Sequence, residues 1–249
     1  MSIAYHVFGD ESIRGDNVFC GLVCIPVTSL QVVEDTLGNI KEEFGATRGT
    51  RFHCREIFHK DARRKSAWSH LSDKAALDIA LTVASRLAGL GIRTCVGRVQ
   101  RPPLGQAIEG VGGIAGMIIK DSKQMIPFAY LGAAAPLMWD PEFSGRCKLW
   151  IEPSGDFIAW FGGQKRSLER LIECNYLDEH TAEVLQRLVP ENIVSRERPP
   201  LLELADLLTY SSSRAISDAA QGKKRLSDQA IFSIYKSMNP NVGTMHLLK

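Results

Sequence analysis

Asp10 and Glu11 close the first apolar run, Glu152 closes a later one, and Glu203 and Asp206 stand three apart in a leucine-rich stretch. Carboxylates offer hard oxygen ligands, the kind that Mg²⁺ and Mn²⁺ prefer. A pair of such ions stabilises both the attacking water and the departing oxygen at a phosphodiester, so the pattern points to metal-dependent phosphodiester hydrolysis. Each acid also has a plainer reading. Asp10 could be a turn residue that bonds its own backbone. Glu203 and Asp206 could be charges that favour a helix start. Asp206 fits that role less well, because Leu204, Ala205, Leu207 and Leu208 surround it. A carboxylate beside a buried face is costly unless it is paired or bound to metal.

A second polar group lies in Phe52-His53-Cys54-Arg55-Glu56-Ile57-Phe58-His59. His53 and Glu56 are three apart, which meets on a helical turn but not on one face of a strand. They read either as a partly exposed His with a local acidic neighbour, or as an acid–base pair that orients water, phosphate or metal. Lys60 to Lys65 is basic and reads as a solvated face or as a groove that tracks phosphates, with Trp68 in reach of a stacking role. Gly110-x-Gly112-x-x-Ala115 resembles a dinucleotide-binding turn. Pro102-Pro103 occupies the place of the strand that turn needs, and no strand-end acid follows about 20 residues on.

These residues must be held by regular elements. Ile3–Gly9 and Asn17–Ile25 read as a hairpin around the polar loop 12–16, which places Asp10 and Glu11 where a buried strand meets its turn. Thr28-Ser29 precede an amphipathic helix, and Ser72-Asp73 cap a longer one that ends at Gly89-Leu90-Gly91. A strand is expected over 92–99 and another over 146–152. Between them, 114–138 reads as an apolar helix interrupted at Pro127. Gly132-Ala133-Ala134-Ala135 would let it lie close to a sheet. Helices over 162–174 and 178–188 and a strand over 192–196 follow. Pro199-Pro200 then open a helix through Tyr210, and the tail from Lys223 onward reads as peripheral. Strands and helices in this order make an α/β protein, taken as one domain over 1–249 with a helical insertion at roughly 28–91.

The chain has 249 residues, 45% hydrophobic and 23% charged, enough for a packed core. A net charge of +2 does not by itself argue for nucleic acid or a membrane. The start reaches Asp10 before any signal-like apolar core, and no run is long enough to span a bilayer. Six cysteines are scattered without a C-x-x-C pair, so neither a zinc knuckle nor a disulfide frame is expected. Cys20 and Cys24 would share a strand face as small buried hydrophobes. Together these features predict a reduced, cytoplasmic protein.

Several blocks also resemble a known family. They are Phe8-Gly9-Asp10-Glu11-Ser12, the Phe52–Glu56 block, the strand ending at Glu152, and Ser195 followed by Pro200-Leu201-Leu202-Glu203-Leu204-Ala205-Asp206-Leu207-Leu208-Thr209-Tyr210. In that order they are similar to the motifs of the domain-of-unknown-function family numbered thirty-eight hundred. The resemblance spans nearly the whole chain. It implies a ribonuclease-H-like mixed sheet flanked by helices and divalent-metal nuclease chemistry. It matches Asp10, His53, Glu56 and Asp206 to the family's acidic and His-Glu positions. Three positions depart from the pattern: Ile13 stands for a usual glycine, Glu152 with Pro153 for a usual Asp, and Glu203 for a frequent Gln.

The expected site therefore has Asp10, Glu152 and Asp206 holding Mg²⁺ or Mn²⁺, with Glu11, Glu203 or Asp156 completing the shell and His53 or Glu56 moving protons. The expected partner is nucleic acid. One rival is a non-catalytic nucleic-acid- or protein-binding module on the same fold, using Arg63, Arg64, Lys165 and Arg166 as one patch. The other is a small-molecule phosphoesterase with a closed pocket.

Overall fold

The computed structural model describes residues 3–101, 107–108, 117–118, 121–138, 140, 142–143, 146–151, 199–221 and 226–245. Strands β1 (Ile3–Arg14) and β2 (Asn17–Pro26) form an antiparallel hairpin. Its turn is only Gly15-Asp16, with Gly15 at φ +60°, a conformation that suits glycine. Helices α1 (Leu30–Glu43), α2 (Cys54–Phe58), α3 (Lys60–Arg63) and α4 (Asp73–Ala88) come next. They precede β3 (Arg93–Gln100), which pairs antiparallel with β2, so the expected helical insertion after the first hairpin is present. The Ser72 hydroxyl accepts the Ala75 N–H and caps α4 as expected. Ser29 makes no such bond, because the Val27–Ser29 turn already feeds α1.

Met117–Ile118 is a short strand, β5, paired with β4 (Ala107–Ile108) rather than part of the expected long helix. Helix α5 starts only at Ile126 and runs to Met138. Pro127 therefore sits in its first turn, where a missing N–H costs little. Strand β6 (Arg146–Ile151) lies parallel to β1. Helices α6 (Leu202–Gln221) and α7 (Leu226–Met238) follow, and β7 (Asn241–Met245) joins the sheet parallel to β3. The tail is thus not peripheral: Ile231 and Ile234 of α7 are buried and β7 extends the sheet.

The sheet order is β6-β1-β2-β3-β7. The protein is α/β, with a mixed sheet of five strands flanked by helices. Three antiparallel strands followed by β6 alongside β1 is an arrangement consistent with a ribonuclease-H-like sheet. The expected helices over 162–174 and 178–188 and the strand over 192–196 lie outside the described residues.

Side chains alternate across each strand and so feed two cores. Phe8, Phe19, Val23, Ile25 and Val96 meet the insertion helices, α6 and α7 on one face. Val7, Val18, Cys20, Leu22, Cys24 and Val99 meet α5 on the other. Cys20 and Cys24 are buried there, and burial pushes both thiols well above their ordinary range. Helix α5 approaches the sheet closely, as its small residues predict. A Cβ at Gly97 would overlap the Ala129 carbonyl oxygen and the Ala133 nitrogen. Backbone atoms cannot swing aside, so Gly97→Ala is expected to cost about 3 kcal/mol of stability. Urea unfolding at neutral pH would test this, and an unchanged midpoint would refute the close contact.

Candidate functional site

Asp10 is not at the end of a strand. The ladder continues past it, with Asp10 opposite Gly21, Glu11 opposite Cys20 and Ser12 opposite Phe19. The apolar β2 supplies a partner for every residue to Arg14, so the strand outlasts the polar change in its sequence. Asp10 therefore sits on rigid backbone, on the face covered by α6. The same alternation turns Glu11 to the opposite face, beside the Cys20 thiol that its charge perturbs. The expectation that Glu11 shares a metal shell with Asp10 is corrected on that ground.

Helix α6 lies on β1 and β2. Gly21 makes the approach possible, since a Cβ there would overlap the Thr209 hydroxyl. The Thr209 hydroxyl, which donates to the Ala205 carbonyl of its own helix at 2.8 Å, also lies 3.2 Å from the Asp10 carbonyl oxygen. Further along, the Ser12 hydroxyl meets the Ser213 hydroxyl at 3.4 Å. Asp206 lies one turn before Thr209. It accepts the Cys54 backbone N–H at 2.7 Å across 152 residues of sequence. The Cys54 thiol also bonds to Asp206. Burial first, then Asp206, then Asp10 push that thiol far up, while Arg214 opposes them. One buried residue of α2 thus senses the carboxylates of both β1 and α6.

His53 caps α2: its Nδ1 accepts the Arg55 N–H at 3.1 Å. In the neutral ring this places the proton on Nε2. Glu56 lies in the first turn of the same helix, so the helical reading of the His53–Glu56 pair holds and both stand beside Cys54. An aromatic and cationic wall follows. Phe58 stacks on Tyr210 with centroids 4.8 Å apart and planes 5° from parallel. The Arg214 guanidinium lies 4.7 Å over the Tyr210 ring, and His59 meets that ring edge-on at 6.5 Å. Burial, then the charges of Arg214 and Arg55, hold His59 below its ordinary range. Burial pushes the Tyr210 phenol up to about 12, so it stays a hydrogen-bond donor across the physiological range. That hydroxyl is buried and has no hydrogen-bond partner among the described residues.

Other expected members lie elsewhere. Glu203 pairs with Lys41 at 2.6 Å and also takes a Phe52 backbone bond, so it is already committed. Its spacing from Asp206 puts both near one face, but Glu203 is taken by a buried lysine that sequence spacing does not reveal. Glu152 and Asp156 lie outside the described residues, although the β1–β6 register reaches Gly9 opposite Ile151, the residue just before Glu152. Trp68 is fully buried and donates through Nε1 to the Arg51 carbonyl at 2.7 Å, so it is a core residue rather than a stacking platform. Arg63 is buried against the Ile57 carbonyl and Asp73, which removes it from any surface patch. Lys165 and Arg166 are outside the described residues.

Among the described residues, no group of three His, Cys, Asp or Glu side chains is arranged to hold a metal ion. Asp10 and Asp206 remain as an oxygen-donor pair. That set suits Mg²⁺, which commonly takes one or two carboxylates and completes its shell with water and substrate phosphates. Sequence reading missed Cys54, Tyr210 and Arg214. Tyr210 and Arg214 follow Asp206 at steps of four, one stripe of a helix, and that spacing was the available signal.

Compared with models of known protein families, with curated proteins and with solved structures, the chain matches none. No helix among the described residues is long and apolar enough to cross a membrane.

Proposed function

We propose that the protein hydrolyses phosphodiester bonds in nucleic acid with Mg²⁺ or Mn²⁺, as a divergent relative of the family its motifs resemble. The observation that carries this reading is that Asp206, bonded to the Cys54 N–H at 2.7 Å, lies on the helix whose Thr209 hydroxyl reaches the Asp10 carbonyl of β1 at 3.2 Å. Asp10 and Asp206 hold the metal in this reading. When bound, the metal supplies charge stabilisation at the phosphate and lowers the pKa of a water molecule. The chain's own groups do the rest. The Cys54 N–H and thiol fix the Asp206 carboxylate. The Thr209 hydroxyl meets the Asp10 main chain where α6 lies on β1. His53 Nε2 and the Glu56 carboxylate are the candidates for moving the proton of the water or of the leaving oxygen.

Calorimetric titration with Mg²⁺ and Mn²⁺ tests this, comparing wild type with the Asp10→Asn, Asp206→Asn double variant. Each titration is run with and without a phosphorothioate oligonucleotide that resists cleavage, because substrate phosphates can supply missing ligands. Binding by wild type that is lost in a folded double variant is the expected result. Equal heats from both proteins would count against the site. The non-catalytic binding module then becomes the better account, since Arg55 and Arg214 bring positive charge to His59 whether or not metal binds.

A further inference from the structure

Several of the described arginines are committed to acids. Arg48, Arg86 and Arg101 each reach a carboxylate, as do the buried Arg63 and the partly buried Arg93. Arg214 differs. Among the described residues it has no carboxylate partner, yet its guanidinium is held over the Tyr210 ring at 4.7 Å. That ring is itself fixed by the parallel stack on Phe58 at 4.8 Å. A guanidinium stacked on a ring keeps its N–H edge pointing outward, in the fork that matches two oxygens of a phosphate. The Tyr210 ring thus has Phe58 stacked on it and Arg214 over it.

The position is also informative. Arg214 follows Asp206 by two helical turns on the same side of α6, and Ser213 beside it touches Ser12 of β1. Its charge is felt by Cys54, His59 and Tyr210, so it belongs to the same pocket of groups as the acid pair. A fixed cation beside two carboxylates suits an anion that is to be held next to a bound metal.

The geometry points to Arg214, pre-positioned by the Phe58–Tyr210 stack, as the clamp for a backbone phosphate of a nucleic-acid substrate beside Asp10 and Asp206. This inference rests on the hydrolytic reading for its substrate class, but it concerns binding and can be tested apart from cleavage. Tyr210 is a positioning residue in it, acting through its ring.

The experiment is fluorescence anisotropy of a labelled single-stranded oligonucleotide of about 12 nucleotides in EDTA, which stops metal-dependent cleavage. It is read at about 50 and about 200 mM salt. Arg214→Gln is expected to weaken binding about tenfold and to lower the salt slope by about one. Arg214→Lys should keep the slope while losing affinity, because the charge remains and the fork does not. Tyr210→Phe should bind like wild type, whereas Tyr210→Leu should bind several-fold more weakly at an unchanged slope. Melting curves confirm that each variant is folded.

A folded Arg214→Gln protein with wild-type affinity and slope overturns the clamp. So does a Tyr210→Phe protein as weak as Tyr210→Leu, and so does a wild type that binds no oligonucleotide. Cleavage is assayed separately with Mg²⁺ and Mn²⁺. The expected binding pattern without any cleavage leaves the clamp standing and removes the hydrolytic reading. Cleavage that needs Asp10 but not Arg214, with binding unchanged, does the reverse.

Discussion

Asp10→Asn is expected to lower metal-dependent cleavage of a single-stranded oligonucleotide by about a thousandfold, with the fold unchanged. A charge aimed at the reacting group typically carries an effect of that order. The contact between the Asp10 carbonyl oxygen and the Thr209 hydroxyl of α6 is one that the variant keeps. Asn is also nearly the same size as Asp, so the ladder with Gly21 is undisturbed. The measurement is an initial rate in Mn²⁺ and in Mg²⁺, with a melting curve on the same preparation. A variant that cleaves at the wild-type rate would exclude Asp10 from the chemistry. Asp206→Asn should lose as much activity and some stability besides, since its carboxylate takes both the N–H and the thiol of Cys54.

The largest expected effect on stability lies at a pair outside the site. Lys41 of α1 is 2% exposed and Glu203 of α6 is 10% exposed, with 2.6 Å between Nζ and Oε2. Removing one partner of a buried ion pair strands the other charge, at about 3–5 kcal/mol. Lys41→Met is therefore expected to destabilise the protein by about that amount at neutral pH. Replacing both partners, as in Lys41→Met with Glu203→Leu, should recover most of the loss, because no charge is left buried.

The pH dependence of this pair has a definite sign. Burial holds the Glu203 carboxyl above its ordinary value of 4.5, even though Lys41 and a Phe52 backbone bond pull it down. The unfolded chain therefore ionises at lower pH than the folded one. The contribution of Glu203 to stability is full below the unfolded value and is lost as pH rises through the raised folded value. Without Lys41 the folded value rises further. The deficit of Lys41→Met should thus be smallest at about pH 4 and largest at about pH 8. Urea unfolding at both pH values measures it. A deficit that does not change with pH would show that Glu203 stays ionised throughout or is not buried in the variant.

Much of this protein was legible in the order of its residues because local physics sets it. The β-branched and aromatic runs at Ile3–Gly9 and Asn17–Ile25 read as paired strands, and they are. Ser72 ahead of an amphipathic stretch reads as a helix cap, and its hydroxyl makes that bond. The Gly132–Ala135 run reads as a close approach to a sheet, and α5 presses on Gly97. Asp10, His53, Glu56 and Asp206 were visible as polar types that hydrophobic surroundings make expensive.

What the residue order did not contain was decided by partners distant in the chain. Strand β1 runs on to Arg14 because β2 offers it a hydrogen-bonding partner at every step, and that extra length turns Glu11 away from Asp10. Glu203 is paired with Lys41, a residue on another helix that its own sequence neighbourhood does not reveal. Trp68 became core because the Arg51 carbonyl satisfies its indole N–H inside the protein. The β7 strand and helix α7 became part of the body of the fold because β3 and α4 bury them, although their own sequence is mixed. The sequence by itself determined which groups can do chemistry and which segments can be regular. Only tertiary packing decided which of those groups face one another, because a side chain's direction depends on register and on the face its element buries.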